Sequence, residues 1–251
     1  MICESAHTGH LPLSTKVEHP QQRGLLVTTK TNRSHALLSE QAFEALREIL
    51  ISGEIRSGQM VSISELCEKL GFATAPIRDA IKKAAAVGLV TVYPQRGIVV
   101  LELSPQELYA NFHFRYLIDV EGARLTAQQP DHTTLAALRQ AHVDIIEKLQ
   151  NTPLTRQLQL EAMELDWRLH HYLANTLKNP IVAKNYSENC DRIHVLQKYR
   201  PPLNTRINLA MNEHIAILDA IASGDETAAA SMVQHHFSQT LAWWGVMQED
   251  L

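Results

Sequence analysis

From about Leu37 the apolar positions fall into a helical rhythm, with Ala42, Phe43, Leu46, Ile49 and Leu50 recurring at spacings of three and four until Gly53. A turn, EIRSGQM, follows. Ser62 and Glu65 have the spacing of a capping box and open a short helix with Leu66 and Leu70 inward, stopped at Gly71. Pro76 sits in the first turn of a third helix, where its missing N–H costs nothing. That helix carries Ile77, Ile81 and Ala84 inward and ends at Gly88. The β-rich runs LVTVY and IVVL flank PQRG and predict a hairpin. The order is helix, helix–turn–helix, hairpin, which is a winged helix-turn-helix plan over residues 34–101.

Beyond a joint at residues 101–104 the rhythm is helical throughout. Ser104-Pro105-Gln106-Glu107 combines a cap, a first-turn proline and a returning glutamate. Breaks near Pro130, Pro153, Asn179-Pro180, Pro201-Pro202 and Gly224 divide the rest into six helices, at about 104–128, 132–150, 154–177, 181–199, 203–222 and 225–248. The fold class expected is mainly α: an N-terminal winged helix-turn-helix plus a C-terminal antiparallel all-α helical bundle over residues 102–251. Residues 1–33 are polar and aperiodic and read as a flexible arm, in which Lys30 and Arg33 are available to a phosphate.

The second domain is interrupted in an informative way. Asp166 and His170 break the apolar stripe Met163, Leu173, Leu177, and lie four residues apart on one helix face. His214 breaks the stripe Ile207, Met211, Leu218, Ile221, and His235 lies near Met232 on the last helix. Polar groups on inward faces are costly unless satisfied. One inward histidine is ordinarily a satisfied core residue. Three imidazoles and a carboxylate converging in a bundle suit a divalent metal such as Zn, Ni, Mn or Fe. The doublets leave a choice: His171 aligns with Trp167 and Lys178 on another face, which favours His170, whereas periodicity does not separate His235 from His236. Arg115 likewise lies on an inward stripe, Leu108, Phe112, Ile118, Leu125, and needs a carboxylate: either a neighbour such as Asp119 or Glu121, or a bound acid. Arg192 is a second candidate for that acid.

Charge and cysteine content refine this picture. Residues 1–101 carry 11 Lys and Arg against 9 Asp and Glu, and residues 102–251 carry 12 against 18, which gives +2 and −6 within a net charge of −4. No stretch approaches the roughly 18 apolar residues of a membrane span. The start, MICESAHTGHLPLS, lacks the form of a secretory signal. Cys3, Cys67 and Cys190 are scattered, which fits a reducing cytoplasm. In a winged helix-turn-helix the leading end of the third helix enters the DNA major groove. Here it presents Thr74 and Arg78, with Lys82 one turn on, and the hairpin tip presents Arg96 and Gly97. The alternative is a small α+β domain with solvated charges.

Residues 37–101, through SGEIRSGQMVSISELCEKLGFATAPIRDAI and AAAVGLVTVYPQRGIVV, resemble the DNA-binding domain of the GntR superfamily of bacterial transcription regulators. The joint LSPQELY and the stretches DWRLHHYLANTLKNP, NEHIAILDAIASGD and MVQHHF resemble the all-α effector domain of its FadR-like branch. The resemblance implies metal ligands at Asp166, His170, His214 and His235, the last by its offset from His214. It also implies a small organic acid effector. The chain departs from the family where arginines are common: Ser64 stands on the first helix of the motif, and Ala73-Thr74-Ala75-Pro76 opens the recognition helix. Base readout then differs, and Thr74 offers a methyl suited to thymine. The function expected is a cytoplasmic, ligand-responsive regulator, a repressor relieved by its ligand. It binds palindromic double-stranded operator DNA as a homodimer, with no membrane partner. The alternatives are a metal-dependent enzyme with a fused DNA-binding domain, for which no general acid or base pairs with the site, and a purely structural metal.

Overall fold

The computed structural model describes residues 24–198 and 203–246, with side chains from His35 onward. Helix α1 spans Gly24–Ile51. Its first turns, GLLVTTKTNRS, are rich in threonine and β-branched residues of modest helix propensity, so periodicity predicts a later start. Residues 24–33 of the expected arm are therefore helical, and residues 1–23 lie outside the described residues.

The DNA-binding domain continues with β1 (Met60–Val61), α2 (Ile63–Leu70), α3 (Thr74–Ala86), β2 (Val90–Tyr93) and β3 (Gly97–Val100). The sheet order is β1-β3-β2, antiparallel throughout, with Val61 opposite Ile98 and Tyr93 opposite Gly97. The two-residue β1 is too short to show a period and is absent from the sequence reading. The capping box forms as expected: Ser62 Oγ accepts from the Glu65 amide while the Glu65 carboxylate accepts from the Ser62 amide. Gly71 closes α2 at φ 73°, a left-handed position that a Cβ strains. Leu46, Leu50, Leu66, Ile77, Ala80, Ile81 and Val100 fill the core, and burying each large side chain contributes about 1.5–3 kcal/mol. One residue from the other domain, Val195, completes that core.

The second domain is built from α4 (Pro105–Gln128), α5 (His132–Asn151), α6 (Arg156–Thr176), α7 (Pro180–Gln197), α8 (Asn204–Ala222) and α9 (Glu226–Trp244). Ser104 and Glu107 form the second capping box, with Pro105 in the first turn. Asp131, Thr155, Asn179 and Asp225 cap the following helices with side-chain oxygens, so each start is locally encoded. Helix α4 packs against α9, α6 and α7, while α5 packs on α8 and α6. At Gly122 the α4 backbone touches α6, where a Cβ would lie 2.3 Å from the Leu173 carbonyl oxygen. No helix among the described residues is long and apolar enough to cross a membrane.

Candidate functional site

Four side chains from three helices meet in the middle of the bundle: Asp166 and His170 from α6, His214 from α8 and His236 from α9. One donor atom from each lies within 4.8 Å of all the others. His214 Nε2 is 3.4 Å from His236 Nε2 and 3.5 Å from Asp166 Oδ1, and His170 Nε2 is 3.8 Å from Asp166 Oδ2. Two ligands of one ion at bonds of ~2.1 Å stand at most about 4.2 Å apart, so small side-chain movements would complete a shell.

The surrounding hydrogen bonds decide which ring nitrogens carry protons. His170 Nδ1 donates to Asp119 Oδ2 at 2.8 Å. His236 Nδ1 donates to Glu213 Oε2 at 2.6 Å. His214 Nδ1 faces His142 Nε2 at 3.1 Å, and His142 Nδ1 faces the Leu138 carbonyl at 2.8 Å. A carbonyl only accepts, so His142 carries its proton on Nδ1 and its Nε2 accepts from His214. Burial pushes the pKa of His142 down and those of His170 and His214 well down, which keeps these rings neutral. The Nε2 atoms of His170 and His214 are then lone pairs, and the neutral form of His236, with its Nδ1 proton directed at Glu213, offers a third. His170 Nε2 is buried with no hydrogen-bond partner among the described residues, and His214 Nε2 and His236 Nε2 face each other at 3.4 Å. Three lone pairs beside a carboxylate are the donor set of a divalent cation, with each imidazole oriented through its other nitrogen.

The orienting groups are themselves held. Burial raises the Asp119 pKa to about 6, against the pull of Arg115 and the Tyr186 hydroxyl. Burial also works to raise that of Glu213, but hydrogen bonds from His236 and Arg206 outweigh it and hold the carboxyl below its usual range. Arg206 grips both Glu213 oxygens and donates to Thr240.

Asp166 is 19% exposed and faces a cavity of about 60 Å³, which Arg115, Met163, Arg206, Met211 and Thr240 also line. Arg115 is only 4% exposed, and its guanidinium lies against the rings of Phe112 and Trp167. Its ion-pair partner is Asp119, the first of the two acids expected, with Nε 3.6 Å from Oδ2 and no hydrogen bond formed. Arg115 thus keeps donor capacity toward the cavity.

Two expectations are corrected. His235 is exposed and outside the cluster, whose fourth member is His236. The buried stripe of α9 is Ala229, Val233, His236, Thr240, with Met232 only half-buried, so Met232 was the wrong guide to the inner face. Arg192 does not line the cavity. It donates to Asn111 Oδ1 and to the Val87 carbonyl at the end of α3, both at 2.8 Å, and so bridges the domains. His142, Glu213 and Arg206 escaped the sequence reading. His142 had a signal, since it interrupts Leu135, Leu138, Ile145, Leu149.

On the DNA-binding domain Ser64, Thr74, Arg78, Lys82 and Arg96 are all exposed. Lys82 pairs with Asp79 at 3.0 Å, whereas Arg78 and Arg96 make no ion pair among the described residues. Gly97 adopts φ 132°, and a Cβ there would meet the Val61 carbonyl oxygen at 3.0 Å. Close packing against β1 and the positive φ both call for a glycine here.

Comparison with known proteins agrees with this architecture. Residues 38–100 match the family described as bacterial regulatory proteins, gntR family, and residues 110–239 match the FCD domain. The chain is 23% identical over 193 residues to the Nta operon transcriptional regulator of Aminobacter aminovorans, covering 76% of this chain and 89% of that protein. It is 22% identical over 220 residues to the HTH-type transcriptional repressor RspR of Escherichia coli K12, covering 86% and 92%. Its fold is similar to E. coli McbR/YncC, with a TM-score of 0.66 at 16% identity, over 83% of this chain and 97% of that one. With both domain matches in the order in which the two domains fold, the chain belongs to the GntR family of bacterial transcriptional regulators and carries the effector-binding FCD domain of its FadR-like branch.

Proposed function

We propose that the chain is a homodimeric repressor that binds one divalent metal through Asp166, His170, His214 and His236 and releases a palindromic operator when a small organic acid reaches that metal. The convergence of three imidazole Nε2 atoms on one carboxylate, each ring oriented through its Nδ1, carries this reading. A cation held by these four residues with five- or six-fold coordination would keep open positions for a carboxylate. Arg115, on the cavity wall, supplies a second cationic contact. The cavity of about 60 Å³ beside Asp166 gives a small organic acid a place next to the cluster. The similarity to RspR, described as a repressor, supports the sign of regulation. A single helix-turn-helix per chain supports pairing of two half-sites by two-fold symmetry. Ligand binding would then bias the relative placement of the two DNA-binding domains.

The direct test pairs thermal-shift measurements on a panel of small organic acids with operator gel shifts, with and without chelator. An acid that raises the melting temperature only with metal present, and weakens operator binding, is the expected outcome. Stabilisation that survives chelation contradicts the metal's role.

The DNA arm of the reading rests on Thr74, Arg78, Lys82 and Ser64 for the groove, and on Arg96 for the wing. Arg78→Ala is expected to weaken operator binding by about 1–3 kcal/mol, leaving fold and oligomeric state intact because the residue is exposed. Arg96→Ala should weaken specific and random DNA alike and flatten the salt dependence. Unchanged affinity in a gel-shift titration removes Arg78 from the interface.

A further inference from the structure

We infer that helix α7 is the lever through which occupancy of the metal centre is transmitted to the DNA-binding domain, with Tyr186 as its input and Asp191, Arg192 and Val195 as its output. The inference rests on the proposed metal reading and identifies how that site would regulate.

Helix α7 is 18 residues long, roughly 27 Å at 1.5 Å per residue, and is anchored at two places. At the input, the Tyr186 hydroxyl donates to Asp119 Oδ1 at 2.8 Å, while Asp119 Oδ2 accepts a hydrogen bond from His170 Nδ1 at the same distance. One buried carboxylate thus joins a metal ligand on α6 to a buried side chain on α7. A second tie runs beside it. Trp167, next to Asp166 in sequence, donates its indole N–H to Gln197 Oε1 at 3.1 Å and lies 4.3 Å, ring centre to ring centre, from His194.

At the output, Asp191 receives a two-pronged hydrogen bond from Arg47 of α1, with the carboxylate almost fully buried. Arg192 donates to the Val87 carbonyl, at the C-terminal cap of the recognition helix α3, and its stem packs on Gly88. Val195 is 0% exposed and sits inside the DNA-binding domain's own core. The Lys198 stem, just past the helix, packs on Gly53 after α1.

A helix is stiff along its axis, and packed cores shift between discrete arrangements. A small turn or slide of α7 at Tyr186 therefore moves Asp191, Arg192 and Val195 together. These residues hold the end of α3 and the flank of α1, so the recognition helix moves with them. A metal ion fixes the His170 ring, hence Asp119, hence Tyr186; loss of the ion frees that chain of contacts. The lever requires differential contacts in the two states, which the metal supplies.

The experiment uses the full-length protein with Zn2+ alone as the probe. Zn2+ affinity is measured by chelator competition, and backbone hydrogen exchange is followed in residues 47–55 and 86–90 with and without the ion. Zn2+ should slow exchange in both segments of the wild type, several-fold. Tyr186→Phe removes only the hydroxyl. It should keep Zn2+ affinity within about threefold of wild type, yet lose the Zn2+-dependent protection in both segments. Arg47→Lys keeps the charge and loses the fork; it should reduce protection in residues 47–55 without altering Zn2+ affinity. Full Zn2+-dependent protection in Tyr186→Phe overturns the lever, as does a wild type that binds Zn2+ with no change in the DNA-binding domain. A wild type that binds none of Zn2+, Ni2+ and Mn2+ refutes the metal reading itself, and the lever falls with it.

Discussion

His214→Ala should strip the protein of its metal and lower its melting temperature by roughly 10 °C or more. His214 is 0% exposed and stands between the other donors, at 3.4 Å from His236 and 3.5 Å from Asp166. With metal at a hundredfold excess over its dissociation constant, binding contributes about 2.7 kcal/mol to stability. The substitution also deprives buried His142 Nε2 of its donor, costing about 1–3 kcal/mol more. The combined loss is roughly 4–6 kcal/mol. Operator affinity of the variant should match that of chelator-treated wild type. The histidine doublet on α9 supplies a paired control. His236→Ala should behave like His214→Ala. His235→Ala, at an exposed position, should retain metal and stay within about 0.5 kcal/mol of wild type. Metal analysis and thermal melts on the three variants check this. Loss of metal in His235→Ala with retention in His236→Ala would reverse the assignment.

Gly122→Ala should damage the metal centre from outside it. A Cβ at residue 122 would lie 2.3 Å from the oxygen and 2.6 Å from the carbon of the Leu173 carbonyl, both rigid backbone atoms. Helices α4 and α6 have to separate, and overpacking of this kind costs about 1–3 kcal/mol. The damage then spreads by one turn of each helix. Asp119 lies one turn before Gly122 and His170 one turn before Leu173, and their 2.8 Å hydrogen bond depends on the close crossing. The Thr176 hydroxyl, which donates to the Gly122 carbonyl at 3.3 Å, is displaced as well. Losing the carboxylate behind a metal-binding histidine typically lowers metal affinity about 10–100-fold. Chelator competition should show a fall of that size together with a lower melting temperature. Wild-type values for both would mean that the two helices do not approach as closely as described.

The parts legible in the sequence were those encoded locally. The boxes Ser62/Glu65 and Ser104/Glu107 and the glycine after α2 each act within one helical turn, so spacing alone locates them. Asp166, His170 and His214 were legible as interruptions of apolar stripes, because an inward polar residue is conspicuous whatever it faces. Strand β1 was not legible, since its two residues owe their conformation to pairing with β3. The first turns of α1 lack an apolar period. His235 and His236 differ by one position, and the decision falls to which face of α9 meets α8, a tertiary fact. Arg192 shows the same limit: its sequence position marks an inward cation on α7, but its partners, Val87 and Asn111, lie 105 and 81 residues away in the chain. The orienting groups Asp119, His142 and Glu213 come from three different helices, and only the assembled bundle reveals them as a set behind the ligands.

The central claim is that this bundle is organised around a cation, and the metal content of the protein tests it most directly. The protein should be purified without a histidine tag or chelating resin and analysed by mass spectrometry for metals, beside His214→Ala prepared identically. The expected result is one divalent ion per wild-type chain and none in the variant, with Zn, Ni or Mn restoring the melting temperature of chelator-treated wild type only. If both proteins carry no metal and neither is stabilised by any of these ions, the four side chains form a polar core network and the proposed effector site is wrong.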